Sequence, residues 1–133
     1  MFKKLLISIL LLIFIIGCKA QMGTTANPQA TIKTAIDDCI QLLESKDYKT
    51  MLSKYVSKDD LEKILKDQTM DEFVSSFSER KADKMLNALK IAKEKKIEYK
   101  DHDSVGVIKL DKVESGPNEF VFIKIGDLWY ISD

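Results

Sequence analysis

The hydrophobic residues of this chain change their spacing once, near Lys96, and this change most narrows the folds that the chain can adopt. Between Ile32 and Ala92 they recur at helical spacing, which is typical of helices that bury one face. From Ile97 onward, β-branched and aromatic residues form short runs, which favour strands. Helices followed by strands predict an α+β domain and argue against a parallel α/β fold.

Helix-start signals divide the first part into several helices. Asn27 followed by Pro28 predicts a capped helix over about 28–46, because proline is favoured at the first helical position. Thr69 and Glu72 have the spacing of a capping box. The predicted helices begin at the caps Asn27, Asp47, Ser57 and Thr69, and a last helix covers about 79–95.

The second part predicts an antiparallel sheet of about four strands, over 97–100, 105–110, 120–125 and 128–131. Gly126-Asp127 is a strong two-residue hairpin signal between the last two strands. We therefore expect N-terminal helices packed on a curved antiparallel sheet.

The hairpin turn also fixes which side chains share a face of the sheet. It pairs Ile125 with Leu128, and successive residues then alternate between the two faces. One face carries Val121, Ile123, Ile125, Leu128 and Tyr130, and the other carries Phe120, Phe122, Trp129 and Ile131 beside Lys124. Since one helical layer covers only one face, we expect the face of Phe120, Phe122, Trp129 and Ile131, or its opposite, to bind a small apolar ligand or a protein partner, including a second copy. The alternative is a sheet curved enough for the core to use both faces.

The N-terminus has the features of an export signal. Residues 1–4 form a short basic segment, and residues 5–16 form an apolar run of 12 residues broken by Ser8. A membrane-spanning helix needs about 20 apolar residues, so this run is too short to be a permanent anchor. It has the length of the apolar region of a signal peptide.

The apolar run ends in Ile15-Ile16-Gly17-Cys18, which resembles the lipobox of bacterial lipoproteins. The resemblance implies diacylglycerol transfer to the Cys18 thiol, cleavage after Gly17 and attachment to a cell-envelope membrane through acyl chains such as palmitate, facing the periplasm or the exterior. The alternatives are a secretory signal with a chance cysteine and an uncleaved leader. We accordingly divide the chain into a signal peptide (1–17), a lipidated cysteine with a flexible tether (18–27) and one α+β domain (28–133).

Charge argues against a nucleic-acid partner. The chain has 21 basic and 21 acidic residues; Lys3 and Lys4 lie in the leader, which leaves 19 basic residues against 21 acidic ones, a net charge of −2. Domains that bind nucleic acid usually carry an excess of basic residues, and the chain without its leader has none.

No catalytic or metal-binding pattern is evident in the sequence, and no cofactor is expected. His102 lies between Asp101 and Asp103, which suggests either a metal ligand set or an exposed turn, but no second histidine completes a site. Cys39 lies on a helical apolar stripe and is either a buried hydrophobe or a reactive thiol. Lysines 90–96 either contact anionic lipid head groups or form a solvated helix end.

The order of elements and the closing segment Lys124-Ile125-Gly126-Asp127-Leu128-Trp129-Tyr130-Ile131 resemble small secreted members of the nuclear transport factor 2-like superfamily. The resemblance implies a cone in which helices are wrapped by a curved antiparallel sheet. Some members are similar to ketosteroid isomerases, but no motif of this chain matches their catalytic residues. We therefore expect a lipid-anchored, non-catalytic binding domain; the alternatives are an enzyme with an apolar cone pocket and a homodimerising interaction protein.

Overall fold

The structure is a computed structural model that describes residues 26–111 and 116–132. Within these ranges a 3₁₀ turn (Pro28–Ala30) precedes five helices and four strands. The helices are α1 (Ile32–Glu44), α2 (Tyr48–Tyr55), α3 (Lys58–Ile64), α4 (Met70–Arg80) and α5 (Ala82–Ala92). The strands are β1 (Glu98–Lys100), β2 (Val105–Lys109), β3 (Glu119–Ile125) and β4 (Leu128–Ser132). The chain is therefore an α+β domain, as the spacing of its apolar residues predicts.

The first helix begins later than predicted. Asn27 accepts a hydrogen bond from the Gln29 backbone N–H, but only the short 3₁₀ turn follows it. Thr31 then adopts an extended conformation (φ −134°, ψ 155°), and its hydroxyl accepts a hydrogen bond from the Thr34 backbone N–H. Thr31 is thus the cap of α1, and the prediction of one continuous helix from Pro28 is wrong.

The other predicted caps are confirmed. Asp47 and Ser57 accept hydrogen bonds from the backbone N–H groups three residues ahead of them, at 3.3 Å in both helices. Thr69 and Glu72 form the reciprocal capping box. The last predicted helix is shorter at both ends, because Lys81 (φ −120°) interrupts the helical path and separates α4 from α5, which ends at Ala92.

The four strands form one antiparallel sheet in the order β1-β2-β3-β4. Ile125 pairs with Leu128 and Ile123 with Tyr130, which confirms the predicted hairpin register. The rings of Tyr99 and Trp129 lie 6.0 Å apart although they stand on the two edge strands, β1 and β4. Because the edges of a flat four-stranded sheet are roughly 14 Å apart, the sheet is strongly curved.

The core lies between the helices and the concave face of this sheet. Phe120, Phe122 and Trp129 are at most 6% exposed and pack with Ile32 and Leu89 from the helices. Among the described residues, no helix is long and apolar enough to span a membrane.

Candidate functional site

A cleft of about 560 Å³ opens between α2, α3, α4, the start of α5 and the end of β4. Its volume falls within the range of about 300–1,000 Å³ that is usual for small-molecule sites. Fourteen residues line it: Met51, Leu52, Tyr55, Val56, Asp60, Lys63, Ile64, Gln68, Phe73, Phe77, Lys81, Met85, Ile131 and Ser132. We call this site the helical cleft.

The floor of the helical cleft is apolar and belongs to the core. Met51, Leu52, Tyr55 and Phe77 are each at most 6% exposed. Among the half-buried lining residues, four apolar side chains come from four different elements: Ile64, Phe73, Met85 and Ile131. A ligand in this cleft would meet hydrocarbon and aromatic surface over most of its length.

The cleft forms where α2 leaves its helical path. Val56 is extended (ψ 131°) and forms an isolated parallel bridge with Ile131 of β4. Ser57 then caps α3, which starts in a new direction. The bridge keeps α2 against the sheet edge, and the space beyond it is bounded by α3 and α4.

Polar side chains also line the cleft, some half-buried (Asp60, Gln68 and Ser132) and some exposed (Lys63 and Lys81). Asp60 accepts a hydrogen bond from the Ser57 hydroxyl (2.9 Å), and the Lys63 ammonium lies 3.4 Å from its other carboxylate oxygen. The Ser57 hydrogen bond, followed by the bond from Lys63, lowers the pKa of Asp60. The side chain of Lys63 is 71% exposed, and Lys81 is exposed at the junction of α4 and α5.

A hydrogen-bonded network supports the cleft from behind. The Tyr55 hydroxyl and the Lys54 ammonium both donate to Asp38 Oδ2, each at 2.6 Å. Gln29, which is 5% exposed, donates through Nε2 to the carbonyl oxygens of Lys54 (2.9 Å) and Trp129 (3.1 Å). The start of the domain is thereby joined to α2 and β4, the two elements that meet at the cleft.

The structure corrects the expectation for the face of Phe120, Phe122, Trp129 and Ile131. The first three are buried under the helices, because this concave face is the one that the single helical layer covers. Trp129 is also covered by the Tyr99 ring and by the Lys124 ammonium, 5.9 Å from its ring. Ile131 alone among the four lines the helical cleft.

The opposite face of the sheet has no helix against it in the described part of the chain. We call it the outer face; it carries Val105, Val107, Val121, Ile123, Ile125, Leu128 and Tyr130. Exposure varies across this face, since Val107 is 5% exposed and Ile125 is 50% exposed, and none of the seven belongs to the core cluster on the helix side. This face is the second apolar surface of the domain, as the hairpin register predicts.

The remaining candidate residues have structural roles or none. Cys39 is fully buried, and burial raises the pKa of its thiol, so it is an inert core residue. His102 is exposed in a turn, and no cluster of three metal-ligating side chains occurs among residues 26–111 and 116–132. Lys90, Lys93 and Lys95 are paired with Glu44, Asp37 and Asp111, respectively. Neighbouring carboxylates therefore pair with these three lysines of the 90–96 segment.

The apolar residues of the cleft have the spacing that is typical of core residues, so the sequence does not reveal the cleft. Phe73 and Met85 have the same helical spacing as residues that fill the core. The signal that was available is local: Lys63 and Lys81 each lie close to an apolar stripe of a short helix. Cys18 lies outside the described residues.

No family model matches this chain, and no curated protein or solved structure is similar enough to it to count as a match.

Proposed function

We propose that this chain is an exported, lipid-anchored, non-catalytic domain that binds a small apolar ligand in the helical cleft. The observation that carries the proposal is the cleft itself, with a volume of about 560 Å³ and a buried apolar floor. The anchor part rests on the resemblance of Ile15-Ile16-Gly17-Cys18 to a lipobox. The proposed similarity to the nuclear transport factor 2-like superfamily rests on the order of elements and on the closing segment 124–131 of the sequence.

The titratable groups of the cleft favour binding over catalysis. A general acid that works near neutral pH would need a carboxyl group with a raised pKa facing the cavity. Asp60 lines the cleft, and its pKa is lowered instead. The Tyr55 hydroxyl is already committed to Asp38, and burial together with that hydrogen bond raises its pKa.

The test is photochemical capture of a neutral ligand by the full chain, purified in a non-ionic detergent. The probe is a long-chain alcohol with a photoreactive diazirine in its alkyl chain. We expect one probe per protein by intact mass, attached to peptides of the helical cleft. Ile64→Trp and Met85→Trp fill the cleft and should each lower capture about tenfold, because the added ring occupies the ligand's space.

Ile91→Trp is the matched control. Ile91 is 37% exposed on α5 and does not line the cleft, so this variant should capture the probe like the wild type. Circular dichroism checks that all variants are folded. Equal capture in the filled and control variants, or no capture on cleft peptides, would contradict the proposal.

A second candidate function, self-association through the outer face, is favoured by the charges at its margins. Glu98 and Glu119 stand there with Lys100 and Lys109, so two copies would bring together apolar surfaces without net charge. Analytical ultracentrifugation of the full chain in detergent tests it. A dimer that Ile123→Lys converts into a monomer would support this function, and a wild-type monomer would contradict it.

A further inference from the structure

We propose that the ligand of the helical cleft is a single-chain amphiphile with an anionic head group, and that Lys63 and Lys81 bind this head group. The inference rests on the proposed function and goes further by naming the chemical class of the ligand. It follows from the distribution of charge around an otherwise apolar cleft.

The described charged residues of the cleft carry a positive balance. Two lysines, Lys63 and Lys81, line the cleft together with one carboxylate, Asp60. The Lys63–Asp60 contact is long (3.4 Å), and both side chains are at least 46% exposed. Ion pairs of this kind contribute little, so Lys63 can exchange Asp60 for an anionic ligand at small cost.

Lys81 is the stronger argument, because no carboxylate within 4.0 Å neutralises it in the described part of the chain. Lys66 and Lys84 also have no salt bridge to a described residue, but Lys81 differs from them in lining the cleft. Lys81 lies between α4 and α5, as the C-cap of the first and the N-cap of the second, so opposite ends of two helix dipoles meet there and the charge of this position is that of its ammonium group. Lys63 of α3 and Lys81 of the α4–α5 junction therefore both border one cleft with an apolar floor.

The chemistry of the cleft walls selects a ligand with a separate apolar part. A small inorganic anion could meet the lysines, but it would leave the surface of Phe73, Met85 and Ile131 in contact with water. A pure hydrocarbon would contact the apolar walls but would gain no attraction from the two cationic side chains. An alkyl chain that ends in a carboxylate or a phosphate satisfies both parts of the site.

The position of the cleft fits a ligand that comes from a membrane. Gln29 binds the carbonyl oxygens of Lys54 and Trp129, so the domain starts beside α2 and β4, which both contribute to the cleft. Only nine residues, 19–27, separate Cys18 from Pro28 in the sequence. With Cys18 lipidated, the cleft would stay close to a bilayer, where single-chain anionic amphiphiles are concentrated.

The experiment compares four photoreactive probes on the full chain in non-ionic detergent. All carry the same diazirine-bearing alkyl chain, and they end in a carboxylate, a phosphate monoester, a hydroxyl or an ammonium group. We expect at least one anionic probe to label cleft peptides roughly fivefold more than the hydroxyl probe, since an exposed ion pair has about that effect. The ammonium probe should label least. Preference for the carboxylate over the phosphate, or the reverse, distinguishes a fatty acid from a lysophospholipid-like source.

Double substitution Lys63→Gln/Lys81→Gln should reduce anionic labelling to the level of the hydroxyl probe. Lys66→Gln/Lys84→Gln is the matched control, because both lysines are exposed near the site and do not line it. That control should keep the anionic preference, and added salt should weaken the preference in the wild type.

The outcomes separate this inference from the proposed function. Equal labelling of the cleft by all four probes would overturn the inference and leave the proposed function standing. Labelling that avoids the cleft with every probe would overturn both. An anionic preference that persists in Lys63→Gln/Lys81→Gln would overturn the assignment of the head-group site.

Discussion

Ile32 packs directly over Gly106, and its Cδ1 methyl occupies the place that a side chain on Gly106 would need. Ile32 is the first residue of α1 and is fully buried, whereas Gly106 is in the middle of β2. A glycine usually weakens a strand. Here it lets the helix approach the sheet backbone.

Gly106→Ala should destabilise the domain by about 1–3 kcal/mol, the usual cost of overpacking a well-packed core. The new methyl would have to displace Ile32 or bend β2. Urea unfolding of the full chain, followed by circular dichroism, measures the change in the free energy of unfolding.

The double variant Gly106→Ala/Ile32→Val separates this clash from a general strand effect. Ile32→Val removes the Cδ1 methyl and alone should cost about 0.5–1.5 kcal/mol. If the clash is real, the double variant loses less stability than the two single changes together. Strict additivity would show that the packing of these two residues is not the cause.

Lys46 ends α1 in a left-handed conformation (φ 60°) that favours glycine. The Lys46 N–H donates to the Leu43 carbonyl, and the Asp47 N–H donates to the Leu42 carbonyl, which together form a Schellman motif. We expect Lys46→Gly to raise the free energy of unfolding by about 1 kcal/mol, because it relieves the left-handed backbone.

Lys49→Gly is the contrasting change for the same measurement. Lys49 lies in the first turn of α2 and is exposed, so glycine there should lower stability by up to about 1 kcal/mol, the penalty in a helix interior. The two lysine-to-glycine changes should thus alter the free energy of unfolding in opposite directions. A loss of stability in both would contradict the role of the Lys46 conformation.

The local features of this fold could be predicted because a few neighbouring residues determine each of them. Asp47, Ser57 and Thr69 cap helices through their own side chains, and Gly126-Asp127 sets the register of the last hairpin. The start of α1 was mispredicted because Asn27 and Thr31 are both good caps. The long-range hydrogen bonds from Gln29 to the carbonyl oxygens of Lys54 and Trp129 hold Pro28–Ala30, between these two caps, in a separate turn.

The helical cleft could not be predicted, because it depends on contacts that are distant in the sequence. The bridge between Val56 and Ile131 places β4 beside α2, and no local sequence pattern near either residue predicts it. Likewise, both faces of the last hairpin are apolar in the sequence, and the helices decide which face is buried. Phe122 and Trp129 therefore belong to the core, while Ile123 and Ile125 lie on the outer face.

Cys18→Ala should abolish incorporation of labelled palmitate when the chain is expressed in a bacterium that processes lipoproteins. The lipobox interpretation makes the Cys18 thiol the acceptor of the diacylglycerol group. Cys39→Ala is the matched control and should keep the label, because Cys39 is fully buried in the folded domain. Wild-type protein that takes up no labelled fatty acid would show that the interpretation is wrong.

The stability of the domain should fall at alkaline pH because of two buried acids, Cys39 and Tyr55. Burial raises the pKa of the Cys39 thiol above its ordinary value of 9.0 and that of the Tyr55 phenol above 10.0. The native state therefore keeps both protons at a pH where the unfolded chain releases them. Stability is complete below pH 9 and should fall above it by about 1.4 kcal/mol per pH unit for each group that titrates only when unfolded.

Comparison of variants isolates the contributions of Cys39 and Tyr55. Cys39→Ala should flatten the decline that begins near pH 9, and Tyr55→Phe should flatten the part above pH 10, at a cost of about 1 kcal/mol at neutral pH for the lost hydrogen bond to Asp38. Tyr99→Phe is the control for the loss of a phenol at an exposed position, since Tyr99 is 49% exposed. Urea unfolding between pH 7 and pH 11 measures these slopes. If Cys39→Ala and Tyr55→Phe both keep the wild-type slope, the prediction is wrong. The native state would then hold these two protons no more tightly than the unfolded chain does.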